Sequence, residues 1–176
     1  MRAIEPGDAA IFAKWNLDSE RGRFLDFLWP PTSLAADQRW VEQESQRRME
    51  NDTCHWVIEN RDGEALGSIA THDCSPRNGT FSYGLDVAAE HQRKGYASAA
   101  IWLVLRYYFD ELRYQKVSVM VHSDNQASIR LHKKLGFQLE GTLRRMVFTH
   151  GGYVDALWFG MTVEEFHALA GFSSFS

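Results

Sequence analysis

The sequence predicts an α/β fold: one domain over residues 1–176, with a mixed, mostly antiparallel sheet of about seven strands and flanking helices. Residues 80–87 alternate apolar and polar side chains, which is the period of a half-buried strand. From Ala97 onward the apolar residues recur at helical spacing. A second apolar strand over 116–121 follows that helix. A strand–helix–strand unit implies a right-handed crossover and a parallel pair of strands.

The chain before residue 50 is predicted to contain one short strand and two helices. Residues 2–5 form the strand, and Asp8 caps the first helix. Thr32 or Ser33 caps the second helix.

Aromatic residues are frequent in this part of the chain. We expect Trp40 and Val41 to face inward from the second helix. The loop before it contains four large apolar residues, Phe24, Phe27, Leu28 and Trp29. These residues either line a substrate pocket or cover the hydrophobic core.

A hairpin and a turn lead to the central strand. Residues 55–59 and 65–71 are β-prone runs, and Asp62-Gly63 between them is a strong hairpin signal. A turn over 75–79 then brings the chain to Thr80.

The last third of the chain is predicted to form a helix and a second hairpin. Ser123, Asp124 and Asn125 offer N-cap chemistry for the helix, which ends at Gly136 with an expected left-handed cap. Residues 137–148 and 153–161 form the hairpin.

Composition and charge exclude several classes of protein. The net charge of −4 argues against nucleic acid or an anionic membrane as a partner. The longest apolar run, 99–105, is too short to span a bilayer, so we expect a soluble protein. Two cysteines do not make a disulfide framework, which favours the cytoplasm. His72-x-Cys74 is the only near-pair of metal ligands, so no metal site is expected.

The turn between the central strand and its helix is a candidate anion site. A glycine-containing turn at a helix start leaves several main-chain N–H groups unpaired, and together with the helix dipole they suit a phosphate or pyrophosphate. Arg93 and Lys94 add positive charge, Gly95 permits conformations that a Cβ forbids, and Ala97 keeps the first turn free of bulk. An ordinary strand–turn–helix with solvated basic residues is the alternative.

Two motifs resemble those of the Gcn5-related N-acetyltransferase (GNAT) family. Gln92-x-x-Gly95-x-Ala97 matches the family's Gln/Arg-x-x-Gly-x-Gly/Ala signature, whereas the P-loop and Rossmann glycine motifs are absent. The second block of the family is matched by Asn125-x-x-Ser128, Leu135-Gly136-Phe137 and Glu140-Gly141. Tyr153-x-Asp155 is similar to the final hairpin of the branch that acetylates ribosomal-protein N-termini.

The resemblance implies an acetyl-CoA-dependent N-acetyltransferase with acetyl-CoA as cosubstrate. In the family, the central strand carries a bulge and splays from the next parallel strand, and the pantetheine arm inserts between them. The arm would pair with the main chain of Leu85, Asp86 and Val87 and contact Asn125. The pyrophosphate would bind the N–H groups of the turn, namely Gln92, Arg93, Lys94, Gly95, Tyr96 and Ala97.

The resemblance also suggests which groups handle protons. Direct attack of the amine on the thioester needs no protein nucleophile, but the departing thiolate needs a donor. Many relatives have tyrosine where this chain has His132, and the ribosomal branch uses the serine position, here Ser128. The two residues point the same way from one helix face. Ser128 is preferred, with His132 second; a partly exposed surface histidine is the alternative for His132.

The base that accepts the amine proton stays open. The carboxylates that some relatives carry correspond here to Val147 and Ala99, which leaves Asp86 and Asp155 as candidates. The alternative role for Asp155 is to anchor the hairpin, and the alternative for Asp86 is that its side chain points away from the substrate. An α-amine, with a pKa of about 8, needs less assistance than a lysine amine at about 10.4. The sequence therefore favours an α-amine, such as a protein or peptide N-terminus.

Two alternative functions accompany this prediction. The acceptor could be a small molecule, such as a polyamine or an antibiotic. The chain could instead be a non-catalytic CoA-binding module, because Val147 and Ala99 replace carboxylates. A homodimer is a further expectation, since dimers are common in the resembling branch.

Overall fold

The computed structural model describes residues 1–19, 22, 24 and 30–170. Five α-helices occur in these residues: α1 (Ala9–Asn16), α2 (Leu34–Gln46), α3 (Tyr96–Arg106), α4 (Gln126–Lys134) and α5 (Val163–Ala170). The strands are β1 (His55–Glu59), β2 (Ala65–Ser75), β3 (Thr80–Val87), β4 (Lys116–His122), β5 (Gln138–Thr149) and β6 (Gly152–Thr162). In the predicted aromatic loop, Phe24 is 41% exposed, while Phe27, Leu28 and Trp29 lie outside the described residues.

The strands form a six-stranded mixed sheet in the order β1-β2-β3-β4-β6-β5. β3 and β4 run parallel, with Thr80 opposite Lys116 and Phe81 opposite Val117. The pairs β1–β2, β4–β6 and β5–β6 are antiparallel. The α/β class is therefore confirmed.

The predicted count of about seven strands is wrong by one. Residues 2–5 do not form a strand, because their pairing is limited to a bridge between Arg2 and Val57. The chain enters a 3-10 helix at Pro6–Asp8 directly afterwards, which leaves too little extended backbone for a ladder.

The chain divides into two compact units. The first contains Met1–His72 and Gly84–Ala100, and the second contains Asp73–Tyr83 and the chain from Ile101 onward. That residues 1–176 act as a single acetyltransferase domain stays a prediction.

The core of the first unit forms around α1. Phe12 and Trp15 are buried and meet edge to face, with ring centroids 5.1 Å apart. Val41 from α2 is fully buried in the same cluster, as predicted. Trp40 is 36% exposed rather than inward-facing, although its ring edge packs on Phe12 at 5.0 Å.

The two predicted caps of this unit have different outcomes. Ser33 caps α2, since its Oγ accepts a hydrogen bond of 3.2 Å from the N–H of Ala36. Asp8 makes no capping bond to α1. Its carboxylate instead accepts from the guanidinium of Arg2 at 2.7 and 2.8 Å and from the N–H of Glu5 at 2.8 Å. These bonds close the preceding 3-10 turn.

The core of the second unit is rich in aromatic residues. Phe81 stacks on Tyr108 with centroids 4.1 Å apart, and Phe166 from α5 is fully buried. The predicted long helix after the central strand changes at its end to a π-helix, Tyr107–Glu111. Gly136 ends α4 with φ +92°, which confirms the predicted left-handed cap.

Candidate active site

Gln92 closes the turn between β3 and α3. Its Nε2 donates a hydrogen bond of 3.0 Å to the carbonyl oxygen of Val87, and its main-chain N–H donates to Ala89 at 3.3 Å. These two bonds bracket the short 3-10 helix Ala89–His91. The side chain of Gln92 therefore shapes the turn from within.

The turn itself has the backbone of an anion cradle. Arg93 and Gly95 both adopt positive φ values, +62° and +87°. Within the described part of the chain, the N–H groups of residues 93–98 donate no main-chain hydrogen bond; Ala99 makes the first helical bond, of 3.0 Å to Gly95. A Cβ on Gly95 would meet nothing within 4 Å, so glycine is required here for its φ and not for space. Successive unpaired N–H groups at a helix start fit the pyrophosphate that the sequence motif predicts.

The end of β3 approaches β2 closely. A Cβ on Gly67 would lie 2.1 Å from the carbonyl oxygen of Asp86. The Oδ1 atom of Asp86 accepts a hydrogen bond of 3.0 Å from Ser68 Oγ, which directs this carboxylate toward β2. The binding role of Leu85, Asp86 and Val87 and the catalytic role of Asp86 stay predictions.

The start of α4 is capped by Asn125. Its Oδ1 accepts a hydrogen bond of 3.0 Å from the N–H of Ser128, which confirms the predicted N-cap. A bond to the Ser128 main chain does not exclude contact with a ligand, because the amide Nδ2 of Asn125 is a separate donor.

A chain of polar side chains runs from α4 to β3 within the second unit. The Oγ of Ser128 lies 3.2 Å from Nδ1 of His132, and the same Nδ1 lies 2.9 Å from the main-chain oxygen of Ser128. On the other side of the ring, Nε2 lies 3.0 Å from the hydroxyl of Tyr83.

His132 is a core residue. It is 3% exposed and contacts the rings of Phe137 and Phe159, so the alternative of a partly exposed surface histidine is wrong. Burial lowers the pKa of His132, with a smaller opposing effect from its bond to Ser128, and burial raises the pKa of the Tyr83 phenol. Both side chains are therefore neutral near pH 7.

Sequence reasoning gave Tyr83 no site role. The alternation of residues 80–87 places it on the apolar face of the strand, where it reads as core. A buried tyrosine hydroxyl requires a hydrogen-bond partner, and that requirement is the signal that could have marked it. The partner, 49 positions along the chain, could not be identified from spacing.

Asp155 anchors the final hairpin. Its Oδ1 accepts a hydrogen bond of 2.8 Å from the N–H of Arg145, and its own N–H donates to Ser123 Oγ at 3.1 Å. Arg145 has φ +55° at an irregularity in β5, so the carboxylate stabilises a strained turn of the strand. Of the two roles that the sequence left open for Asp155, the structure supports the anchor.

A cavity of about 370 Å³ in the first unit borders α1 and the 3-10 helix Ala89–His91. Its charged lining is arranged as ion pairs: Arg2 with Asp8, Lys14 with Glu90, and His91 with Glu64. None of the predicted site residues lines it. These charges serve the packing of α1 and the β1–β2 turn, and we assign the cavity no part in the chemistry.

The fold, the cradle and the motif order define the class of this protein. Residues 1–138 match the family model described as an acetyltransferase (GNAT) domain. The chain therefore belongs to the GNAT family, and it is an acetyl-CoA-dependent N-acetyltransferase.

Individual relatives agree with this assignment. The chain is 45% identical over 166 residues to the SPbeta prophage-derived uncharacterized N-acetyltransferase YokL of Bacillus subtilis, which covers 94% of this chain and 90% of the relative. It is 29% identical over 117 residues to spermidine N(1)-acetyltransferase of Escherichia coli, with 66% of this chain and 59% of the relative covered. The structure of spermidine N-acetyltransferase from Vibrio cholerae in complex with CoA and spermine superposes with a TM-score of 0.81, at 22% identity and over 94% and 95% of the two chains.

The prediction of a non-catalytic CoA-binding module is set aside by this family membership.

In the part of the chain that the structure describes, no helix has the length and hydrophobicity needed to cross a membrane. The same residues contain no cluster of three or more His, Cys, Asp or Glu side chains that could hold a metal ion.

Proposed function

We propose that this enzyme acetylates α-amino groups, in particular the N-termini of peptides or proteins, by direct attack of the amine on acetyl-CoA. The supporting observation is that the site has few groups that could act as a general base. Asp155 is committed to the main chain of Arg145, Asp86 accepts from Ser68, and a valine occupies position 147. An α-amine is partly neutral near pH 7 to 8 and can attack with little assistance, whereas a lysine-like amine is almost fully protonated there.

The residues of the two units have distinct proposed roles. In the first unit, the unpaired N–H groups of residues 93–97 bind the pyrophosphate, with Arg93 and Lys94 adding charge. Gln92, whose N–H and side chain bond within the turn, holds these groups in place. The main chain of residues 85–87 pairs with the pantetheine arm. In the second unit, Asn125 contacts the arm and Ser128 serves the leaving thiolate. Asp86 is the remaining candidate for receiving the amine proton, through water.

A polyamine is the second candidate acceptor. The observation that favours it is the similarity to two spermidine acetyltransferases, one from E. coli in sequence and one from V. cholerae in fold. A primary amine of a polyamine resembles that of lysine, so this acceptor needs a stronger base or a higher working pH.

A thiol-release assay with matched acceptors separates the two classes. One peptide with a free N-terminus and an acetyl-blocked lysine is compared with the same peptide carrying a blocked N-terminus and a free lysine, and with spermidine. We expect release of CoA with the first peptide, and mass spectrometry should place the acetyl group on its α-nitrogen. Acetylation of spermidine with neither peptide modified would overturn the α-amine assignment and support the polyamine.

We also propose that the chain forms a homo-oligomer through β5. This strand is one of the two edges of the sheet and exposes the side chains of Leu139, Leu143, Met146 and Phe148. An exposed apolar edge strand is a ready template for pairing with a second copy. The V. cholerae spermidine N-acetyltransferase has been described in a dodecameric structure, which agrees with self-association in this family. Light scattering after size exclusion should give a mass above one chain, and Met146→Glu should lower it; a monomeric mass for the unaltered chain contradicts the proposal.

A further inference from the structure

The chain of contacts from Ser128 through His132 to Tyr83 has one direction of hydrogen bonding. A main-chain carbonyl oxygen can only accept, so the 2.9 Å contact between Nδ1 of His132 and the oxygen of Ser128 requires a proton on Nδ1. A neutral imidazole with Nδ1 protonated has a lone pair on Nε2. The Tyr83 hydroxyl, 3.0 Å away, therefore donates its proton to Nε2.

This direction determines what Ser128 can do. The Nδ1–H of His132 faces Oγ of Ser128 at 3.2 Å as well, so Oγ is the acceptor in that contact. The hydroxyl hydrogen of Ser128 is then not used by His132 and points elsewhere. The side chain of Ser128 is half-buried, whereas His132 and Tyr83 are buried, so Ser128 is the one of these three residues that a ligand can reach.

We propose that Tyr83 and His132 are positioning residues that hold the Ser128 hydroxyl as a hydrogen-bond donor to the sulfur of the departing CoA thiolate. The inference rests on the proposed function, and it decides between the two thiolate partners that the sequence left open. His132 exchanges no proton with the ligand, because it is buried and is separated from the ligand by Ser128. Its low pKa in the folded protein is consistent with that role.

The reaction balances without a proton stored on His132. The amine nitrogen forms a bond to the acetyl carbon, and the bond between that carbon and sulfur breaks with its electron pair going to sulfur. The hydroxyl of Ser128 donates a hydrogen bond to the sulfur as negative charge develops there. The amine releases one proton through water to Asp86, which passes it on to solvent, and the thiolate takes one proton from solvent, so the enzyme returns to its initial state.

Variants separate a positioning role from a catalytic one. Ser128→Ala should lower kcat about 10- to 100-fold, the usual effect of losing a hydrogen bond to a charged group, with little change in KM for acetyl-CoA. His132→Asn keeps an N–H donor near the Nδ1 position and should retain most of kcat, while His132→Leu should lose about as much as Ser128→Ala. Tyr83→Phe should lose less, because the bond between His132 and Ser128 remains.

The double variant is the decisive kinetic test. If His132 acts through Ser128, adding His132→Leu to Ser128→Ala changes kcat no further, and the pH profile of kcat keeps its shape in both backgrounds. A further loss of kcat in the double variant, or disappearance of one limb of the pH profile in His132→Asn, would make His132 the acid and overturn the proposal.

A measurement on the unaltered protein covers the case in which a variant fails to fold. Nitrogen-15 spectra of the imidazole should show Nδ1 protonated and Nε2 unprotonated at pH 7, and the opposite tautomer would overturn the assignment. The proposal and the proposed function fail in different ways. If the parent enzyme acetylates no α-amine, the proposed function is refuted. If Ser128→Ala is fully active on an accepted amine, only the role of Ser128, His132 and Tyr83 is refuted.

Discussion

Replacing Gly67 by alanine should displace the main chain of β3 at Asp86 and Val87. The added Cβ would lie 2.1 Å from the carbonyl oxygen of Asp86 and 2.8 Å from Cα of Val87, whereas ordinary contact begins at 3.4 Å. The two strands must therefore separate by more than an ångström. Both atoms belong to the backbone, so no side-chain rotation can relieve the clash.

The size of the effect follows from the contacts at this point. Overpacking of this kind costs about 1 to 3 kcal/mol, and separation of the strands also weakens the hydrogen bond of 2.8 Å from Ala88 N–H to Leu66, worth about 1 kcal/mol. We expect a loss of about 3 kcal/mol in the free energy of unfolding. For a chain of this length, that corresponds to a fall of roughly 6 to 12 °C in Tm.

Calorimetry measures both the Tm of each variant and its affinity for acetyl-CoA. Gly84→Ala is the matched control, since Gly84 lies on the neighbouring strand β3, is exposed, and has nothing within 4 Å of its missing Cβ. The control should melt at or slightly above the parent Tm and bind acetyl-CoA equally well. Gly67→Ala should bind acetyl-CoA about 10-fold more weakly at a temperature where it is folded, because Asp86 and Val87 are proposed to pair with the pantetheine arm. A Tm within 1 °C of the parent would refute the close approach, and unchanged affinity in a destabilised Gly67→Ala would refute the binding role.

Three further predictions concern the cradle and two ionisable groups. Gly95 and Gly63 have φ values of +87° and +81° in open surroundings, so alanine at either position should lower the free energy of unfolding by about 1 kcal/mol. Only Gly95→Ala should also weaken acetyl-CoA binding in calorimetry, and equal affinities of the two variants would contradict the anion cradle. Because burial lowers the pKa of His132, the unfolded chain binds the extra proton, and the free energy of unfolding should fall below about pH 6.5 by up to about 1.4 kcal/mol per pH unit. His132→Asn should flatten that slope in urea titrations, and an unchanged slope would contradict the burial. The Arg2 guanidinium holds the pKa of Asp8 below its usual range, so Arg2→Met should lower Tm at pH 7. The difference in Tm between variant and parent should shrink as Asp8 protonates below about pH 4. A difference that persists at pH 2 would show that the effect comes from packing.

The elements around the turn were the most predictable from sequence, because local signals determine them. The predicted strand 80–87 coincides with β3, and the following helix begins at Tyr96, one residue before the predicted change of period. The cap at Asn125 and the left-handed end at Gly136 depend on single residues and their neighbours. The motif that identifies the family lies on these same elements.

The features that sequence reasoning missed depend on distant packing. α5 begins with a capping box, in which the N–H of Thr162 donates to the Glu165 carboxylate at 2.8 Å and the N–H of Glu165 donates to Thr162 Oγ1 at 3.4 Å. This local start signal was overlooked, but the place of the helix in the core depends on Phe166, which packs beside Trp102 with ring centroids 4.8 Å apart. His132 precedes Lys133 and Lys134 in the chain, which suggests an exposed helix end. Its burial results from aromatic residues outside α4, which no spacing rule relates to it.

The histidine at position 132 requires a buried partner on β3, and the Tyr83 hydroxyl is that partner. A buried tyrosine hydroxyl can be satisfied by one partner, but a buried imidazole has two nitrogens on opposite edges, and each needs a partner. The helix supplies the first through the main-chain oxygen of Ser128, and β3 supplies the second through the Tyr83 hydroxyl. Of the three side chains only that of Ser128 is partly exposed, so under the proposal above its hydroxyl is the one that meets the ligand. The supporting role proposed for His132 thus follows from its buried partners on α4 and β3.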